Sequence, residues 1–208
     1  PLIFVEVALT NGIANSIQDV LSETREEIDI QDADTAIFYS ISNCQEGLSG
    51  ISFGNSLIKQ VVQDLSRELS NLKTFVTLSP IPGLSKWIKE KELQTISQDQ
   101  TILKQLAANY LLEAKKSNGD PIDPVAKFHL GNGAVIHQIN IGADLSEKGL
   151  FQSFGVMVNY LYDPLKISHN VELFSKEGQI AASSTVKSLS RQAERSILQA
   201  AEAKELAN

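Results

Sequence analysis

The sequence predicts an α/β fold, and three observations carry that expectation. A short apolar run at residues 35–41 is followed by a polar loop, an amphipathic helix and a second apolar run at 74–78. Strand, loop, helix, strand in that order makes a parallel β-α-β unit with a right-handed crossover. A second αβ section follows Pro121 and Pro124, and the 42% apolar residues and 12 glycines among 208 are enough for a buried core.

Each element has its own signal. Residues 2–9 are rich in β-branched and aromatic types and end at Asn11-Gly12, which reads as a strand and a turn. Ile13, Ile17, Val20 and Leu21 recur at helical spacing over 13–23, and the acidic stretch 22–34 reads as an exposed loop. Residues 35–41 form a central strand. Ile58, Val61, Val62, Leu65 and Leu69 then give an amphipathic helix over 56–70, with Asn55 and Ser56 as candidate caps. After the strand at 74–78, residues 84–116 carry two helical patterns, one around Trp87 and one from Ile102 to Leu111. The second section reads as a short helix at 125–130, an Asn132-Gly133 turn, an alternating strand at 134–141 and another strand at 153–162. Residues 179–206 are rich in Ala, Glu, Lys and Gln and read as helix.

Composition removes several functions. With 18 Lys and Arg against 25 Asp and Glu the net charge is −7, and no basic cluster offers a nucleic-acid footprint. No apolar stretch approaches the about 18 residues of a membrane span. A single cysteine, Cys44, rules out an internal disulfide or a multi-cysteine zinc site and favours a reducing compartment. The first residues lack an initiating Met and a leader pattern and read as a strand under way, so the chain is expected to start inside a longer polypeptide.

Three segments could carry chemistry. The loop 47–56 lies between a strand and a helix start, where glycines, free N–H groups and the helix dipole suit a phosphate. It matches neither a Walker loop nor the dinucleotide fingerprint, and a plain chain reversal is its more ordinary reading. Ser79 sits on Ser79-Pro80-Ile81-Pro82-Gly83, where two prolines stop the strand and stiffen the backbone; a turn residue is again the simpler account. His129 ends a short helix beside Gly131-Asn132-Gly133, where a titrating ring could enter a cleft or merely pack. His137 falls in a strand and His169 in a polar loop, and no two histidines have metal-ligand spacing.

Taken together these segments resemble the catalytic domain of the malonyl-CoA decarboxylase family. The resemblance runs from about residue 3 to about 165. It is carried by Ala36 to Ser42, Gln45 to Gly50, Gly54 to Lys59, Leu78 to Gly83 and Pro124 to Leu130 with Asn132 to Val135, and by Asn140, Ala143-Asp144 and Asn159-Tyr160. The resemblance implies a GNAT-like mixed central sheet flanked by helices, with the CoA site at the carboxyl end of the central strands. It implies one catalytic domain over 1–208, the C-terminal part of a longer chain whose helical N-terminal domain is absent. Carried over by position, the acyl-CoA-binding loop is Ser49, Gly50, Ile51, Ser52, Phe53, Gly54 and Asn55, the catalytic serine is Ser79 and the catalytic histidine is His129. Ser49 stands where the family commonly has Gln, and Ser52 where it has a larger polar residue.

The implied reaction converts malonyl-CoA to acetyl-CoA and CO₂ through an enolate. It needs no cofactor, since CoA belongs to the substrate. Malonyl-CoA is the expected partner, with no nucleic acid, no membrane span and a homo-oligomeric full-length protein. The expected compartment is cytoplasmic, or mitochondrial or peroxisomal in a eukaryote, and not secreted. His129 is expected to donate the proton with a pKa near neutrality, while Ser79 hydrogen-bonds the malonyl group. An acyltransferase on the same fold and a non-catalytic acyl-CoA sensor are the competing expectations.

Overall fold

A computed structural model describes residues 3–24, 28–43 and 54–206. Its strands are β1 (Ile3–Thr10), β2 (Thr35–Asn43), β3 (Thr74–Thr77), β4 (Ser79–Pro80), β5 (Val135–Asn140) and β6 (Met157–Leu161). Its helices are α1 (Ile17–Leu21), α2 (Gly54–Glu68), α3 (Leu84–Glu90), α4 (Gln100–Glu113), α5 (Pro124–Gly131), α6 (Glu147–Ser153), α7 (Ile167–Glu177) and α8 (Ser184–Leu206). All six strands join one mixed sheet. β1 pairs antiparallel with β2, and β2 pairs parallel with β3 across α2, the expected crossover. β6 then lies antiparallel to β3 and β4 on one side and to β5 on the other.

Pro80 does not simply end the strand. Val76 faces Leu161, Ser79 faces Val158 and Pro80 faces Met157, a single register that passes through Leu78. The Leu78 N–H meanwhile donates to the Phe38 carbonyl at 3.1 Å, so the segment is tied to both neighbours as far as the prolines. Ser79 is therefore a strand residue rather than a turn residue.

Alternation along β2 divides the core. Ala36 and Phe38 join the large apolar cluster, whose members come from α3, α4, α5 and α8 among others. Ile37 and Tyr39 face a smaller one with Ala8, Val20, Leu78, Ala143 and Met157. A strand buried on both faces reads as an uninterrupted apolar run, which is what residues 35–41 show.

Three sequence expectations need correction. α1 is five residues long, not eleven, because the Ser16 hydroxyl caps it by accepting from the Asp19 N–H and Ala14 and Asn15 stay outside. The last strand starts at Met157 rather than at 153, because α6 runs through Ser153 and Phe154 at φ 56° and Gly155 at φ 76° break the chain. His169 belongs to α7, whose apolar face is Ile167, Val171 and Phe174 at i, i+4 and i+7, set among polar residues.

Candidate active site

Ser79 and His129, 50 residues apart in sequence, meet in the interior. The Ser79 Oγ lies 3.1 Å from His129 Nε2, and the two residues are 6% and 3% exposed. The Ser79 hydroxyl donates to Thr77 Oγ1 at 2.8 Å, and Thr77 and Ser79, two residues apart on adjoining strands, share a sheet face. The Thr77 oxygen also accepts from the Tyr160 N–H at 3.3 Å. On the opposite edge of the ring, His129 Nδ1 lies 2.7 Å from the Tyr162 hydroxyl. Tyr160 stacks on the imidazole with ring centroids 4.4 Å apart and planes tilted 24°.

These contacts assign the protons. Ser79 gives its only proton to Thr77, so its oxygen can meet His129 only as an acceptor from Nε2–H. Nδ1 is then unprotonated and accepts from Tyr162. The ring is neutral in this arrangement, and burial pushes its pKa down to about 3 instead of the near-neutral value expected from sequence. Desolvation disfavours the cation. Burial likewise pushes the Tyr160 and Tyr162 phenols well above their usual range.

The helix that brings His129 here is built for its place. Asp123 caps α5 and Pro124 opens it with a φ already suited to the first turn. At its far end Gly133 adopts φ 81°, and a Cβ there would come within 2.4 Å of the Ile167 carbonyl, so the Asn132-Gly133 turn admits no side chain. Asn170 from α7 donates to the Gly133 carbonyl at 3.0 Å and fixes the turn.

A second polar chain reaches Thr77 from the other sheet face. The Asn159 amide, fully buried, donates to the Thr77 carbonyl at 2.9 Å and to the Ala14 carbonyl at 3.3 Å. Its oxygen accepts from the Asn140 amide, whose own oxygen accepts from Gln138 at 2.7 Å. Gln138 also donates to Asn15 at 2.8 Å, at the surface.

Of the expected acyl-CoA loop, Ser49, Gly50, Ile51, Ser52 and Phe53 lie outside the described residues, while Gly54 and Asn55 form the first turn of α2. Because β2 and β3 are parallel, the chain leaves β2 toward that loop at the sheet edge where β3 runs into Ser79. Among the described residues no cluster of three or more His, Cys, Asp or Glu could hold a metal ion, and no helix is long and apolar enough to cross a membrane. His137 sits at a bulge in β5, half-buried, with its pKa lowered by desolvation and apart from the pair. Sequence reasoning missed Thr77, Asp123 and Tyr162. Their signals were period-two spacing, Thr77 with Ser79 and Tyr160 with Tyr162, and the helix-start dipeptide Asp123-Pro124.

Comparison with known proteins bears on this arrangement. A family model described as the malonyl-CoA decarboxylase C-terminal domain matches residues 1–99 and 91–201. The mitochondrial malonyl-CoA decarboxylase of Rattus norvegicus is 36% identical over 239 residues, spanning 91% of this chain and 48% of its own. This chain thus spans about half the length of the curated relatives it matches. The solved malonyl-CoA decarboxylase of Rhodopseudomonas palustris superposes with a TM-score of 0.86 at 48% identity, over 91% of this chain and 49% of that one. A GNAT-like decarboxylase solved with isobutyryl-CoA superposes at 0.54 and 18% identity, over 78% of this chain and 72% of that one, a likeness of fold alone. The GNAT-like mixed sheet flanked by helices is the fold of this chain.

Proposed function

The chain belongs to the malonyl-CoA decarboxylase family, and from that premise we propose that it converts malonyl-CoA to acetyl-CoA and CO₂, with Ser79 and His129 as the catalytic pair. The observation that carries the reading is the buried 3.1 Å contact between Ser79 and His129, two residues from separate family-like motifs.

The bond that breaks joins the α-carbon to the carboxylate. Its electron pair moves into the thioester as an enolate, CO₂ leaves, and a proton must reach the carbon. Ser79 turns its hydroxyl from Thr77 toward a malonyl oxygen, held in place by the stiff segment behind it. His129 supplies the proton. Its ring is neutral before substrate arrives, but a malonyl carboxylate brings into the buried site the negative charge that favours an imidazolium. One proton is therefore taken up with substrate, ends on carbon, and is replaced from solvent at the next turnover. Residues 49–55 anchor the CoA pyrophosphate through backbone N–H groups and the start of α2, so remote binding energy positions the thioester. Such a site works within an acidic chain, because backbone donors need no lysines.

The same reading takes the chain as one catalytic unit of a homo-oligomeric, non-secreted enzyme, cytoplasmic or, in a eukaryote, mitochondrial or peroxisomal. The lone cysteine and the mitochondrial name of the rat relative support it.

The test is to incubate the intact protein with malonyl-CoA, add no acyl acceptor, and follow the thioester by mass. Acetyl-CoA should accumulate with CO₂. If malonyl-CoA is bound but unchanged, or is consumed only after an amine or thiol acceptor is supplied, the decarboxylase reading is wrong.

A further inference from the structure

We infer that Asp123 is a positioning residue: its buried carboxylate ties the segment that carries Ser79 to the helix that carries His129, and so sets the spacing of the pair. The inference rests on the reading above that Ser79 and His129 are the working residues.

Asp123 is 2% exposed. Its Oδ1 accepts from the Val125 N–H at 3.0 Å and the Ala126 N–H at 2.9 Å, which anchors the start of α5. His129 lies six residues on, about 9 Å along the helix axis at 1.5 Å per residue. A shift at the cap therefore moves the imidazole with the helix.

The other oxygen faces the end of the Ser79 segment. Tyr110 donates to Oδ2 at 3.4 Å, and Gly83, four residues after Ser79, is pressed against the Tyr110 hydroxyl with Oδ2 beside it. A Cβ on Gly83 would stand 2.2 Å from the Tyr110 hydroxyl and 3.9 Å from Asp123 Oδ2. Burial raises the Asp123 pKa, and the backbone N–H groups of Ala126, Gly83 and Val125 act against that rise. Pro80 and Pro82 fix two of the φ angles between Ser79 and Gly83, so little slack separates them.

A side chain needed only to cap α5 could be Asn or Ser, which cap about as well. Asp is distinguished by a second acceptor oxygen. Asp123→Asn keeps one oxygen for α5 and puts an NH₂ group where Oδ2 stood, facing the Tyr110 hydroxyl and Gly83 with a donor instead of an acceptor. The two roles can therefore be separated.

Steady-state kinetics on the intact protein compare Asp123→Asn with wild type, and the same change in a Ser79→Ala background. With Ser79 present, kcat should fall about 10- to 100-fold, while KM stays within about twofold and the thermal midpoint drops by the same amount in both backgrounds. With Ser79 replaced, the same change should cost about twofold or less of the residual turnover, because the spacing it spoils no longer matters. Unchanged kcat, or equal losses in both backgrounds, overturns the inference. Should Asp123→Asn fold poorly, Asp123→Ser, which keeps a cap but cannot reach Gly83, is measured in the same cycle. If Ser79→Ala alone preserves turnover, the catalytic reading falls and the inference with it. If Ser79→Ala abolishes turnover while Asp123→Asn leaves it intact, only the inference falls.

Discussion

Two buried polar networks meet at Thr77 from opposite faces of the sheet, and they differ in kind. On the large-core face the Thr77 hydroxyl closes a line of hydroxyl, imidazole and phenol groups through Ser79, His129 and Tyr162. On the other face its carbonyl ends a line of amides through Asn159, Asn140 and Gln138. An amide has fixed donors and acceptors and does not titrate near neutral pH, so that line has one proton arrangement. A hydroxyl rotates and an imidazole exchanges tautomers, so the first line can be rearranged by a ligand. The amides fix the strand, while the hydroxyl and imidazole line keeps the freedom to rearrange.

The contrast breaks most visibly at the imidazole. His129→Ala and Ser79→Ala should each lower kcat by about 10² to 10⁴-fold, with His129→Ala also losing stability because it leaves a cavity and strands the Tyr162 hydroxyl. If both variants keep near-native turnover, the chemical face has been misassigned. Asn159→Ala should spare most of the turnover. It strands the Thr77 carbonyl and the Asn140 amide without partners, at a cost of about 1–3 kcal/mol in unfolding free energy, with a loss in kcat below about tenfold. A kcat loss as large as that of His129→Ala, without lost stability, would erase the distinction.

Protonation sharpens the contrast further. His129 has its pKa pushed down from 6.5 to about 3 in the folded protein, so below pH 6.5 the unfolded chain binds a proton that the native state does not. This contribution is complete above pH 6.5 and is lost as pH falls toward 3, with a slope approaching about 1.4 kcal/mol per pH unit. Chemical denaturation between pH 7.5 and 4.5 should show that slope in wild type and lose it in His129→Gln; the same slope in both would place the effect elsewhere. The smallest effect separates the two tyrosines. The Tyr160 hydroxyl is buried with no hydrogen-bond partner among the described residues. Tyr160→Phe should therefore keep kcat and hold or slightly raise stability, whereas Tyr162→Phe removes the donor to Nδ1 and should cost about 1 kcal/mol.

Much of the frame was legible in the chain. β2, α2 and β3 follow from two apolar runs and an amphipathic period between them, and α5 and β5 from Pro124, Asn132-Gly133 and alternation. What stayed hidden depended on distant partners. α6 and α7 carry too few apolar residues to stand out, and the end of α6 is decided by the left-handed Phe154. Ser79 and His129 stood out through family-like motifs, since nothing local predicts contact across 50 residues. Tyr162 could be found only after the register of β6 against β3 was known, because alternation says which residues share a face but not what the face meets. The electrostatics were the least legible, as the depressed pKa of His129 comes from burial that a sequence does not display.

The insertion of β6 between β3 and β5 also bears on the order of folding. β1, β2 and β3 pair with one another within the first 77 residues, but β6 begins at Met157 and, with the residue after it, brings Tyr160 and Tyr162 around the imidazole. Such long-range pairing carries a larger loop-closure cost and forms late. A nascent chain stopped short of Met157 already holds Ser79 and His129 and none of the strand that lines them up. On the proposed reading, competence therefore waits for the last strand of the sheet in chain order.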